Sequence, residues 1–133
     1  MTATNETQPA SAGNVDHKHQ TMRPIDLVHL AKYTLGDSAL EAEILGMFAH
    51  QSQVYFGQLE KASTVKEWHA AAHTLKGSAK TVGACHIADL AESAEKISDV
   101  DSTDAKAVIL QKMRSELDKV VEYIQSLLGE KAG

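Results

Sequence analysis

From Pro24 to about Leu128 the apolar residues recur three and four positions apart, a spacing that directs the chain into helices packed side by side. Pro24 suits a first helical turn, and Ile25, Leu27, Val28 and Leu30 form a short stripe that runs out near Gly36. Asp37 is suited to cap a second helix over about 38–62, with Leu40, Ile44, Met47, Phe48, Tyr55 and Leu59 as its apolar face. Thr64 and Glu67 are spaced as a capping box for a third helix over 65–82, and Gly83 stands where it should stop. A fourth helix, about 85–98, gathers Ile87, Leu90, Ala91, Ala94 and Ile97 on one side. After a polar turn, a fifth over about 104–128 presents Val108, Ile109, Met113, Leu117, Val120, Val121, Ile124 and Leu128. An aromatic content of 5% and only 2 prolines favour helix over sheet. Short connections set successive helices antiparallel. The expected fold is all-α: an antiparallel four-helix bundle, up-down-up-down, with a short N-terminal covering helix, over residues 23–130.

Residues 1–22 contain no Leu, Ile, Phe, Tyr or Trp and are expected to form a flexible tail, since they cannot bury enough surface to offset the entropy of ordering. Within them His17-Lys18-His19 reads as a small basic patch rather than a metal site, for want of further ligands. The net charge of −5 argues against nucleic acid as a partner, where a basic footprint is expected. No apolar run approaches the roughly 20 residues of a membrane span, and the first residues lack the basic and apolar regions of a secretory signal. A single cysteine, Cys85, cannot form an internal disulfide. The expectation is a cytoplasmic protein with no membrane association.

The third helix has an unusual outward face. On a wheel of about 100° per residue, Trp68, Ala71, Ala72, Leu75, Ala79 and Val82 gather on the core side. Lys66, His69, His73, Lys76, Gly77, Lys80 and Ala84 fall within about 60° of His73 on the opposite side. That arrangement points His73 at water, inside a local basic patch on an acidic chain. Gly77 sits one turn beyond His73, where glycine costs about 1 kcal/mol relative to alanine. Its place on the solvent side favours a role in clearing an approach to the imidazole over a role in close helix packing.

The string His73-Thr74-Leu75-Lys76-Gly77-Ser78-Ala79, followed by Val82-Gly83-Ala84, resembles the signature of histidine-containing phosphotransfer (HPt) domains. Those read His-x-Leu-Lys-Gly-Ser/Ala-Ser/Ala, then after a short gap Gly-Ala or Gly-Leu, and the resemblance extends over about Pro24 to Leu128. It implies a four-helix bundle with the phosphorylated histidine exposed midway along one helix. His73 would accept a phosphoryl group on Nε2 from an aspartyl phosphate and pass it to another aspartate. Lys76 would act as a point charge for the phosphate oxygens. Gly77 would clear the path of the partner, and Lys80, His69 and Lys66 would extend the docking face. Where the family often supplies a Gln to the imidazole from the next helix, this chain has Glu95. That carboxylate either accepts from Nδ1–H, making Nε2 more basic, or is an ordinary flanking charge. The implied partners are receiver domains of response regulators and of a hybrid sensor histidine kinase, met by a monomer. No cofactor of its own is implied; Mg²⁺ is expected in the partner receiver domain.

Other chemistries fit less well. His69 and His73 have the i, i+4 spacing of a metal pair, but position 70 is Ala rather than the Glu of zinc proteases, and the sequence offers no third ligand nearby. No glycine-rich nucleotide site supports an autonomous kinase, and Cys85-His86 lacks an orienting acid. Trp68, Phe48 and Phe56 are expected in the core, and His29, His50 and His86 have no assigned role. The competing reading is a non-catalytic bundle that binds a partner through the same basic face.

Overall fold

A computed structural model describes residues 23–97 and 103–132. The expected tail and residues 98–102 lie outside the described residues. Five helices and no strand occur among them: α1 (Leu27–Thr34), α2 (Ser38–Lys61), α3 (Val65–Val82), α4 (Cys85–Glu95) and α5 (Thr103–Ala132). No helix among the described residues is long and apolar enough to cross a membrane.

The helix starts follow from local chemistry. The Asp37 carboxylate accepts from the Ala39 and Leu40 N–H groups at 3.0 and 3.1 Å, satisfying donors that α2 leaves unpaired. Thr64 Oγ1 accepts from Glu67 N–H at 3.0 Å. Glu67 reaches back one residue further than a standard capping box, accepting from the Ser63 N–H at 2.9 Å. α1 starts later than Pro24 because Asp26 caps it, its carboxylate accepting from His29 N–H. α4 stops at Glu95, short of the expected Ser98, where Lys96 and Ile97 turn back on the Ser93 and Ala94 carbonyls. α5 begins at Thr103 and runs past Leu128 to Ala132.

In the packing, α3 lies against α2 and α4, α5 closes on α2 and α4, and α1 rests on α2 and α3. Trp68, Phe48, Phe56, Leu75, Ile87, Met113, Leu117 and Ile124 are buried between them. Three residues of the stripes expected for α2 and α5 are exposed: Leu40, Met47 and Val108. Leu40 and Met47 are seven residues apart, and α2 buries instead the flank marked by Leu45, Phe48, Ser52, Phe56 and Leu59. Val28, assigned to the first stripe, is also exposed. Arg114 ties α5 to α2, bonding Gln53 Oε1 at 3.1 Å and lying over the Phe56 ring.

The turn between α3 and α4 fixes both helices. Gly83 has φ +83°, and the Ala84 N–H reaches the Ala79 carbonyl at 2.9 Å, closing α3 with a Schellman motif. The Asp26 N–H donates to the Gly83 carbonyl at 2.8 Å. A Cβ on residue 83 would stand 2.7 Å from the Asp26 carbonyl oxygen. Glycine is therefore required twice here, for the left-handed backbone and for the close approach of the segment entering α1.

Candidate functional site

The apolar side of α3 fixes which way its other side looks. Trp68, Ala71, Ala72, Leu75, Ala79 and Val82 are buried, as the wheel requires, so the opposite face meets solvent. The His73 side chain is 66% exposed and that of His69 55%. Lys66, Gly77 and Lys80 are exposed on the same face. A Cβ built on Gly77 would meet nothing within 4 Å, so no neighbouring helix demands glycine there. The space beside the imidazole is open.

Glu95, the last residue of α4, organises this face. Its Oε2 lies 2.7 Å from His73 Nδ1, and its Oε1 lies 2.7 Å from Lys76 Nζ. Hydrogen bonds from Lys76 and then His73 hold its carboxyl at about 2, far below the usual carboxylate range. An ionised carboxylate only accepts, so the bonded Nδ1 of His73 is the protonated nitrogen. In the neutral ring the lone pair is then on Nε2, directed away from the carboxylate. Of the two roles open to Glu95 in the sequence, the geometry selects the bond to the imidazole.

Lys76 stands one turn from His73, as expected, but reaches across to α4. Only 20% of its side chain is exposed, and its ammonium is paired with Glu95 rather than standing free beside the imidazole. The flexible stem lets it lean across to α4, which a wheel of backbone directions does not capture. The pairing offsets the negative charge that Glu95 brings to the face. His69 Nε2 stands 3.5 Å from the same Oε2. Glu95, which the resemblance set against His73, is thus also a third group beside the two histidines. It is nevertheless occupied by Lys76 and His73, and no set of three His, Cys, Asp or Glu among the described residues is arranged to hold a metal ion.

Trp68 holds Glu95 in register. Its indole Nε1–H donates to the Ala94 carbonyl at 2.7 Å in the buried seam between α3 and α4. The bond captures a last-turn carbonyl of α4 and sets the adjacent Glu95 opposite His73. From the outer side, Lys106 of α5 lies 5.0 Å above the Trp68 ring. This anchor was not foreseen from the sequence, where Trp68 reads as core alone.

Surface clefts lie along α4 and α5, around Leu90 and Lys112, and between α2 and α3, around Lys61 and Ala70. His73 lines none of them. Small molecules bind in concave sites that enclose most of their surface. An imidazole on an exposed helix face suits a reactant brought by another macromolecule. A family model described as Hpt domain matches residues 43–127, a span that holds α3, α4 and every member of the cluster around His73. None of the curated proteins and none of the solved structures matches the chain.

Proposed function

The chain belongs to the Hpt-domain family, whose members are phosphocarrier modules of phosphorelays, and from that premise we propose that His73 is its phosphoryl-accepting residue. The fold in this reading is an antiparallel four-helix bundle of α2 to α5 with α1 as its cover. The observation that carries the proposal is the Nδ1–H···Oε2 bond to Glu95, which leaves Nε2 nucleophilic on an exposed face.

The Nε2 lone pair attacks phosphorus of an aspartyl phosphate on a receiver domain. The bond between phosphorus and the aspartyl oxygen breaks, and its electron pair leaves with the aspartate carboxylate. The imidazole keeps its Nδ1 proton and becomes a phosphorylated cation, whose positive charge faces Glu95. Because that proton stays, the P–N bond remains easy to break, and the same path runs in reverse to a second aspartate. Phosphoryl transfer depends mainly on alignment and charge. An oriented imidazole, with Mg²⁺ in the partner receiver domain, is then sufficient without a nucleotide site in this chain. Lys76 neutralises Glu95 so that its charge does not repel the incoming phosphoryl group. Lys66 and Lys80 meet the carboxylates that cluster around a receiver's aspartate.

The test is incubation with a phosphorylated receiver domain, followed by acid treatment of the labelled protein. Wild type should acquire an acid-labile label, and His73→Gln should acquire none while melting within a few °C of wild type, since the exposed ring gives up only its bond to Glu95. Label retained by His73→Gln, or moved to His69, would refute the assignment. Partner binding without any label would favour a non-catalytic docking module.

A further inference from the structure

Two imidazoles, not one, are aimed at Glu95. His69 lies one turn before His73, its ring parallel within 7° and its centroid 6.3 Å away. Its Nε2 stands 3.5 Å from the oxygen that His73 Nδ1 approaches to 2.7 Å. At 3.5 Å a neutral ring gains little from that oxygen; a protonated ring would make a shorter, charge-assisted bond. The charged or titratable groups facing His69 are Glu95 from α4 and, on its own helix, Lys66, His73 and Lys76. Among the described residues, α2 and α5 supply it with no ion-pair partner. In the resting cluster Lys76 already matches the charge of Glu95. Phosphorylation upsets that match, because a dianionic phosphoryl group on a ring that becomes cationic adds a net charge of about −1.

On the reading that His73 carries the phosphoryl group, we propose that His69 is a proton-linked positioning residue: it takes up a solvent proton as His73 is phosphorylated and donates its Nε2–H to Glu95 Oε2. The step balances. The acyl phosphate loses its phosphoryl group to Nε2 of His73, the aspartate leaves as carboxylate, and one proton passes from solvent to the His69 ring. Proton binding and phosphorylation then favour each other by the same factor. Lowering the pH through the range where histidine titrates, about 5 to 8, lets His69 draw phosphoryl groups towards His73, a contribution read as the difference between wild type and His69→Gln because a proton on Nε2 of the free acceptor ring opposes transfer in both. A net unit charge about 6 Å away, acting largely through water, changes proton affinity roughly three- to tenfold, or half to one pH unit.

The experiment uses the full chain, phosphorylated with phosphoramidate so that no receiver domain is needed. The His69 ring is titrated by NMR before and after phosphorylation of His73. Its midpoint should rise by about half to one pH unit. The transfer equilibrium with a phosphorylated receiver is then measured from pH 5.5 to 8 for wild type, His69→Gln and His69→Lys. The glutamine variant should lose about a three- to tenfold part of the wild-type pH dependence. The lysine variant, charged throughout, should stay near the acid-side value. A midpoint that does not move would overturn the proposal, as would an unchanged pH dependence in His69→Gln. Failure to phosphorylate His73 by either donor would instead sink the functional reading and this proposal with it.

Discussion

Replacing Trp68 by Phe removes the indole donor while keeping an aromatic ring in the core. The lost bond to the Ala94 carbonyl is worth about 0.5–1.5 kcal/mol. The lower part of that range applies, because the same carbonyl also accepts from the Ile97 N–H at 3.1 Å. The smaller ring leaves about 40 Å³ unfilled, which at roughly 24 cal/mol per Å³ costs about 1 kcal/mol more. Lys106 also exchanges indole for phenyl, a weaker cation–π partner. The total is about 2 kcal/mol, to be read as a fall of about 1–1.5 M in the urea midpoint with an unchanged slope. The functional effect follows from position. Without the anchor, the last turn of α4 drifts and Glu95 no longer fixes the Nδ1 proton, so transfer at His73 should slow about tenfold under conditions where the variant is fully folded. Denaturant unfolding and stopped-flow phosphotransfer on the same preparation measure both. A variant that loses the full stability yet transfers at the wild-type rate would refute the anchor, and so would one that loses less than about 0.5 kcal/mol.

Gly77→Leu should block transfer while stabilising α3 by about 0.8 kcal/mol, because a side chain there meets only open space; wild-type transfer rates would remove the open-approach argument. Lys80→Glu should lower the association rate with a receiver and weaken its dependence on salt, with a fall of a few °C in melting temperature because Lys80 stands in the last turn of α3; no change in rate or salt dependence would place docking elsewhere. Glu95 gives a pH signature. Its folded-state pKa is depressed to about 2 from 4.5, so its contribution to stability is present in full above about pH 5 and is lost as pH falls towards 2. Melting curves of wild type and Glu95→Gln should run at a constant offset above pH 5 and converge below pH 4; an offset that persists to pH 2 would contradict the pairing with Lys76 and His73.

Helix faces were legible in the sequence where a stripe was dense. Trp68, Ala72, Leu75 and Ala79 repeat closely enough to leave one solution for α3, and with it the exposure of His73. Leu40, Met47 and Val108 were misplaced because they lie at the edges of broad stripes, where a small rotation of the helix decides between core and solvent. The string from His73 to Ala79 pointed to the family that the matching domain model shows. What one sequence could not supply was the register of α4 against α3. The two roles of Glu95 differ by the distance of a carboxylate from Nδ1, and that distance is set by the Trp68–Ala94 bond and the turn at Gly83. The pairing of Lys76 was hidden for a related reason, since a long side chain chooses its partner among neighbouring helices rather than along its own.

Glu95 ends α4 at the pole of the helix dipole where a negative charge is least welcome and a lysine or arginine would ordinarily be favoured. The residue best suited to orient His73 is therefore a poor choice for the helix that presents it. The pairing with Lys76 and His73 offsets that dipole cost, so a cation at 95 would suit the helix end and at the same time stand against the Lys76 ammonium with no carboxylate to meet it. Efforts to harden this protein should therefore keep the acid at 95 and look for gains elsewhere on α4.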